Sequence, residues 1–114
     1  MARFNYLELP VGDVPVAKAF YASAFGWSFT DFGPDYAATM TGDTDLGLNG
    51  DASQSTQHLL PVIDVDDLEA VEASVKAAGG AITLAIFSFP GGRRFHFRDP
   101  AGHELAVMQA DAHG

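Results

Sequence analysis

Cysteine is absent from the 114 residues of this chain. Disulfides, cysteine zinc sites, iron–sulfur clusters and thiol nucleophiles are thereby excluded. Positive charge is scarce. Six Lys and Arg stand against fifteen Asp and Glu, a formal charge of −9. That balance repels nucleic acid and anionic membrane surfaces, and neither is expected as a partner. No apolar run approaches the ~20 residues that a membrane span needs. The opening Met1-Ala2-Arg3-Phe4-Asn5 has no long apolar stretch of the signal-peptide kind. There is no Walker motif, no dinucleotide glycine fingerprint and no Gly-x-Ser-x-Gly. The expectation is a soluble cytoplasmic protein.

What is present is enough for one core. Hydrophobic residues make up 47% and charged residues 18%, which argues against disorder. A 12.1 kDa chain buries about two-thirds of its unfolded surface and needs no staple. A single domain over 1–114 is expected.

Residues 4–11 alternate, with Phe4, Tyr6, Glu8 and Pro10 on one parity and Leu7, Leu9 and Val11 on the other. Such alternation predicts a half-buried strand. Asp13 is an N-cap, Pro15 suits a first turn, and Val14, Ala17, Tyr21 and Ala24 recur at helical spacing up to Gly26. A helix is predicted over 14–25. Strands are predicted over 27–32, 36–41 and 46–49. The 50–57 tract is small and polar, a linker at 51–57 between modules of about 1–50 and 58–110.

The opening pattern then returns. Residues 58–65 read as a strand, and Asp66 or Asp67 caps a helix, Asp66 with Glu69 fitting a capping box. Leu68, Val71, Val75 and Ala78 form its stripe, and Gly79-Gly80 end it. Strands are predicted over 81–87, 93–98 and 103–109, with a loop at 88–92 and a turn at 99–102. An offset of 54 lays Leu9 on Ile63, Asp13 on Asp67, Tyr21 on Val75 and Gly26 on Gly80. Each half reads β-α-β-β-β, too small to fold alone, so the fold class is α+β with two associated modules.

Three segments carry a family resemblance. Phe20-Tyr21 followed by Phe25-Gly26-Trp27, then Val65-Asp66-Asp67-Leu68 through Gly79-Gly80, then Phe97-Arg98-Asp99-Pro100-Ala101-Gly102-His103-Glu104-Leu105 occur in order. The chain resembles the vicinal oxygen chelate superfamily, the glyoxalase, bleomycin resistance protein and extradiol dioxygenase group. The resemblance implies a cup-shaped mixed β-sheet with helices on the convex side and a ligand cavity within. It also implies a divalent metal held by one residue on each half's first strand and one on each half's last strand. Those places fall on Tyr6, on Leu60, on Ala106 and near Leu48, Asn49 or Gly50. None is a usual ligand. The expected site is therefore metal-free, with no cofactor.

Parity assigns faces independently of the resemblance. Phe95, Phe97, Leu105 and Val107 share one face of the last hairpin and belong with the helix. Arg94, His96, Arg98, Glu104, Ala106 and Met108 share the other. In the family frame that polar face lines the cavity, together with Tyr6, Glu8 and Pro10 of the first strand and His58, Leu60, Val62 and Asp64 of the fifth. His96 and Glu8 are the candidate catalytic groups, because both can exchange protons. Tyr6, Arg94, Arg98, Glu104 and Met108 are the candidate ligand-binding residues. Glu8 and Glu104 could equally be salt-bridge partners of Arg94 or Arg98. Trp27, Phe29, Phe32, Phe87 and Phe89 could wall an apolar pocket or simply be core. His103 belongs to a turn exit and His113 to the chain's tail.

The first functional expectation is binding of a small organic molecule without the usual metal. An anionic ligand is expected if Arg94, His96 and Arg98 point inward. The alternative is a metal-dependent lyase, isomerase or dioxygenase with a displaced divalent site on His58 and Glu104. A homodimer is expected, because each half presents a strand edge.

Overall fold

The computed structural model describes residues 2–111. His113 lies outside the described residues. The chain forms two compact units. The first is Asn5–Leu60; the second takes Pro61 onward with the chain's first residues, so the start of β1 and of β5 each lie at the boundary and each strand is counted with the unit that holds most of it. Each is α+β, and each carries one βαβββ set.

The first unit contains β1 (Arg3–Pro10), α1 (Val14–Phe25), β2 (Thr30–Asp31), β3 (Tyr36–Ala38) and β4 (Asp45–Asn49). Asp13 sits in extended backbone and accepts a hydrogen bond from the Val16 N–H at 3.0 Å, so the predicted cap starts α1. Gly26 stops it at φ 72°, a left-handed conformation that favours glycine. The strand order is β2-β3-β4-β1, with β1 and β4 parallel and the other pairs antiparallel. Two strands are shorter than the alternation predicts. β3 ends at Ala38 because the Asp45 carboxylate gathers Thr39 Oγ1, the Thr41 N–H and hydroxyl and the Gly42 N–H into a turn. Partial burial pushes the Asp45 carboxyl up, but these hydrogen bonds outweigh that and hold it below the ordinary carboxylate range. A short β3 then offers β2 only Ala37 and Ala38, so residues 27–29 are left outside the sheet.

The second unit contains β5 (Leu60–Asp64), α2 (Leu68–Ala77), β6 (Ala81–Phe89), β7 (Gly92–Arg98) and β8 (Glu104–Ala110), in sheet order β5-β8-β7-β6. Asp67, not Asp66, caps α2 by accepting from the Ala70 N–H. Glu69 does not close a capping box. It takes a bidentate hydrogen bond from the Arg93 guanidinium, tying the helix start to β7. β6 runs through Phe89, so the predicted 88–92 loop contracts to Pro90-Gly91. The core is Val65, Leu68, Phe95 and Val107, flanked by Ile63, Val71, Val75, Ile82, Ile86 and Phe97. Helix α2 therefore covers the Phe95, Phe97 and Val107 face, as parity predicts. Fully burying a phenylalanine such as Phe95 is worth about 1.5–3 kcal/mol. Among the described residues no helix is long and apolar enough to cross a membrane.

Candidate functional site

The face of the β7–β8 hairpin turned away from α2 carries the first polar cluster. Antiparallel register sets Arg94 opposite Met108, His96 opposite Ala106 and Arg98 opposite Glu104. His96 is 2% exposed, and its Nδ1 lies 3.0 Å from Oε2 of Glu104, one diagonal step across the ladder. Ala106 has only a methyl group, which leaves the space the imidazole fills. A carboxylate oxygen only accepts, so Nδ1 carries the proton, and the ring is held with Nε2 buried. The Thr83 hydroxyl donates to the same Glu104 oxygen at 3.2 Å. Beside this pair, the Arg94 guanidinium lies over the rings of Phe87 and Phe89, at 5.2 and 5.5 Å from their centroids. Phe87 also packs against the His96 ring. The outcome is a cation seated on two aromatic rings next to an imidazole oriented by a carboxylate.

The sequence-predicted residues divide accordingly. His96, Glu104 and Arg94 come together, with Met108 across the ladder from Arg94. Arg98 does not join them. It is exposed and donates to the Gly102 carbonyl, serving the turn. His58 stands outside β5, exposed, in a turn where the Thr56 hydroxyl bonds its carbonyl. Phe87 and Phe89 wall the cluster, whereas Trp27 stacks on helix α1 and Phe32 is exposed.

Glu8 and Tyr6 belong to a second cluster, on β1, β3 and β4 of the first unit. Glu8 is 4% exposed. Its Oε1 accepts from Asn49 Nδ2 at 3.1 Å and its Oε2 from the Tyr36 hydroxyl at 3.0 Å. Tyr36 has one hydroxyl hydrogen and gives it to Glu8, so Tyr6 must be the donor in the hydrogen bond between the two hydroxyls. The order is Tyr6 to Tyr36 to Glu8. The Tyr6 proton is thereby committed to Tyr36. Burial, then the Glu8 carboxylate and Tyr6, push the Tyr36 hydroxyl far above the ordinary phenol range.

Strand register also locates the first half's last-strand position. Val62 stands opposite Ala106 in one unit and Glu8 opposite Gly47 in the other. The counterpart of Ala106 is thus Gly47, one residue before the 48–50 stretch expected from counting. Gly47 has no room for any side chain. A Cβ there would lie 2.1 Å from the Tyr6 oxygen and 2.2 Å from the Tyr36 oxygen. Counting along the chain missed Tyr36, Thr83 and Gly47. A glycine between Leu46 and Leu48 in a strand is a signal of close approach, and it was the one available.

Two βαβββ units of this kind define a fold class, and comparison with known proteins identifies the family. The Glyoxalase/Bleomycin resistance protein/Dioxygenase superfamily profile matches residues 3–107, and the chain belongs to that superfamily. It is 30% identical over 120 residues to the provisionally named glyoxylase CFP32 of Mycobacterium tuberculosis and of Mycobacterium bovis. That match takes in 96% of this chain and 46% of each relative, so the chain spans about half their length. Among solved structures, a superfamily member from Vibrio splendidus 12B01 is similar at TM-score 0.71 and 21% identity, covering 97% of this chain and 100% of that one. A Mn(II)-bound glyoxalase from Novosphingobium aromaticivorans is similar at TM-score 0.70 and 22% identity, over 96% of this chain and 40% of that one. At those identities the structures establish the fold.

Proposed function

We propose that this chain binds a small organic anion with an aromatic or aliphatic body on the β7–β8 face, and does so without a divalent metal. The observation that carries the reading is the Arg94, His96 and Glu104 group against Phe87 and Phe89. A guanidinium over two rings offers charge to a carboxylate or phenolate, and the rings offer contact to its apolar part. His96 is buried beside this group, its ring fixed by Glu104 and packed against Phe87, and so braces the face that receives the anion.

The metal-free part rests on the residues at the expected ligand places, which do not fit an ion. Leu60, Ala106 and Gly47 offer no donor, and the Tyr6 hydroxyl is committed to Tyr36 over Gly47. Among the described residues no group of three His, Cys, Asp or Glu could hold a metal. The displaced site gains no support either, since Glu104 is engaged by His96 and Thr83, and His58 lies in an exposed turn.

Calorimetric titration in EDTA tests the reading, with benzoate and 4-nitrophenolate as probes and benzamide as the neutral control. The anions should bind and benzamide should not. Arg94→Ala should weaken anion binding about 10- to 100-fold, the value of a charge-assisted contact. Glu104→Gln should also weaken it, by releasing the His96 ring. Equal binding of benzamide, or anion binding that EDTA abolishes and added metal restores, overturns the proposal.

A further inference from the structure

Strand β4 ends at Asn49, and Gly50 follows it. This dipeptide can react with itself. The side-chain amide carbon of an asparagine lies within reach of the next residue's backbone nitrogen, and a glycine, having no Cβ, leaves that nitrogen open to approach. The chain's other asparagine, Asn5, precedes Tyr6 and lacks that access. The reaction needs no partner but water. The Gly50 nitrogen forms a bond to Asn49 Cγ, the Cγ–Nδ2 bond breaks, and Nδ2 leaves as ammonia with the proton that the Gly50 nitrogen gives up. Water then opens the five-membered ring at one of its two carbonyl carbons, its hydroxyl going to that carbon and its hydrogen to the ring nitrogen. Opening at Cγ leaves an aspartate at position 49, and opening at the main-chain carbon leaves an isoaspartate.

The fold holds the reacting atoms apart. The Gly50 N–H donates to the Asp35 carbonyl at 2.8 Å, which points the nucleophile at a neutral oxygen that takes no proton from it. Asn49 Nδ2 donates to Glu8 Oε1 at 3.1 Å, and Asn49 Oδ1 accepts from the Asp51 N–H at 2.9 Å. The last contact polarises Cγ and favours attack, but together the two fix the amide at both ends. Asn49 is 6% exposed and paired on both sides, with Pro10 of β1 and Tyr36 of β3. We propose that Asn49-Gly50 is a self-modification site that the native β4 latches shut and that opening of this strand releases. The change cannot be undone by refolding. Nδ2 is a donor, and the aspartate that replaces it only accepts, so Glu8 Oε1 would meet a second buried carboxylate with no hydrogen between them. An isoaspartate adds a carbon to the main chain and shifts the pairing of β4. Each molecule that stays open long enough is thereby marked and leaves the native population. The site lies in the first unit and owes nothing to the Arg94 face.

The test is peptide mapping by mass spectrometry of the full chain, kept at 37 °C in neutral buffer with and without 8 M urea. In urea Asn49 should convert to aspartate and isoaspartate while Asn5 stays intact, and Gly50→Ala should slow that conversion at least tenfold. Without urea the conversion should be at least ~100-fold slower, because it proceeds only from the opened fraction. Glu8→Ala removes the acceptor that holds Nδ2 and should speed the native-state reaction at least tenfold. Asn49→Asp reproduces one product and should lower the urea midpoint. Adding Glu8→Gln, whose amide can donate to the new carboxylate, should recover at least half of that loss, and this pair of variants serves if Glu8→Ala does not fold. An Asn49 that stays intact in urea, conversion as fast in the folded chain as in urea, a folded Glu8→Ala protein that converts no faster, an Asn49→Asp protein as stable as the parent, or no recovery with Glu8→Gln each overturn the proposal.

Discussion

Replacing Gly47 by alanine adds one methyl group, and the consequences can be worked through atom by atom. The new carbon would sit 2.1 and 2.2 Å from two hydroxyl oxygens, against an ordinary contact of about 3.5 Å. Backbone cannot yield, because β4 is paired on both sides, to β1 and to β3. The tyrosines must retreat by more than an ångström. Tyr36 then loses Glu8 Oε2, now at 3.0 Å, and the buried Glu8 carboxylate loses that hydrogen bond while keeping Asn49. Losing a hydrogen bond to a buried charged group costs about 1.5–3 kcal/mol, and overpacking adds about 1–3. We expect about 3–5 kcal/mol from Gly47→Ala, a large part of the 5–15 kcal/mol that holds a domain together. In a chain of this size that lowers the melting midpoint by roughly 10–20 °C. Urea unfolding followed by circular dichroism measures it. Tyr36→Phe should cost about 1.5–3 kcal/mol alone and remove one of the two clashing oxygens. The double variant should therefore cost at least 1 kcal/mol less than the sum of the singles. A Gly47→Ala protein within about 0.5 kcal/mol of the parent, or strict additivity in the cycle, would refute the reasoning.

Two further outcomes follow from the same packing. Tyr36 keeps its proton in the fold well above the unfolded value near 10, so its contribution is complete below that pH and declines above it as the unfolded chain ionises. Stability should fall by up to about 1.4 kcal/mol per pH unit in that range, and Tyr36→Phe should flatten the slope; an unchanged slope counts against a buried phenol. In the second unit, Phe95→Ala should cost about 3–5 kcal/mol by leaving a void under α2, read by thermal unfolding, and a cost below 1 kcal/mol would place Phe95 outside the core.

The fold was legible where local chemistry and period agree. Asp13, Gly26 and Asp67 bound the helices in sequence as in structure, because caps and left-handed turns are settled within a few residues. Face assignment on β7 and β8 followed from parity alone, and it brought His96, Glu104 and Arg94 to one side. What escaped depends on partners distant in the chain. Whether residues 27–29 form a strand depends on the length of β3, and that depends on the Asp45 side chain. Whether Tyr6 gives or receives a proton depends on Tyr36 and Glu8, 30 and 28 residues apart from their partners in sequence. Arg98 had the right parity for the site, but the turn's Gly102 carbonyl claims it.

Trp27 is the chain's one tryptophan, and its stacking on Tyr21 and Phe25 at the end of α1 makes it a reporter with a narrow field of view. Its emission answers to the rings of Tyr21 and Phe25 and to whatever excludes water from that helix end. The same indole sits in the first unit, so melting of the Phe95 core or occupancy beside Arg94 has no fluorophore of its own. Fluorescence therefore follows the first unit while calorimetry sums the heat of both, and a discrepancy between their midpoints would measure how independently the two units unfold.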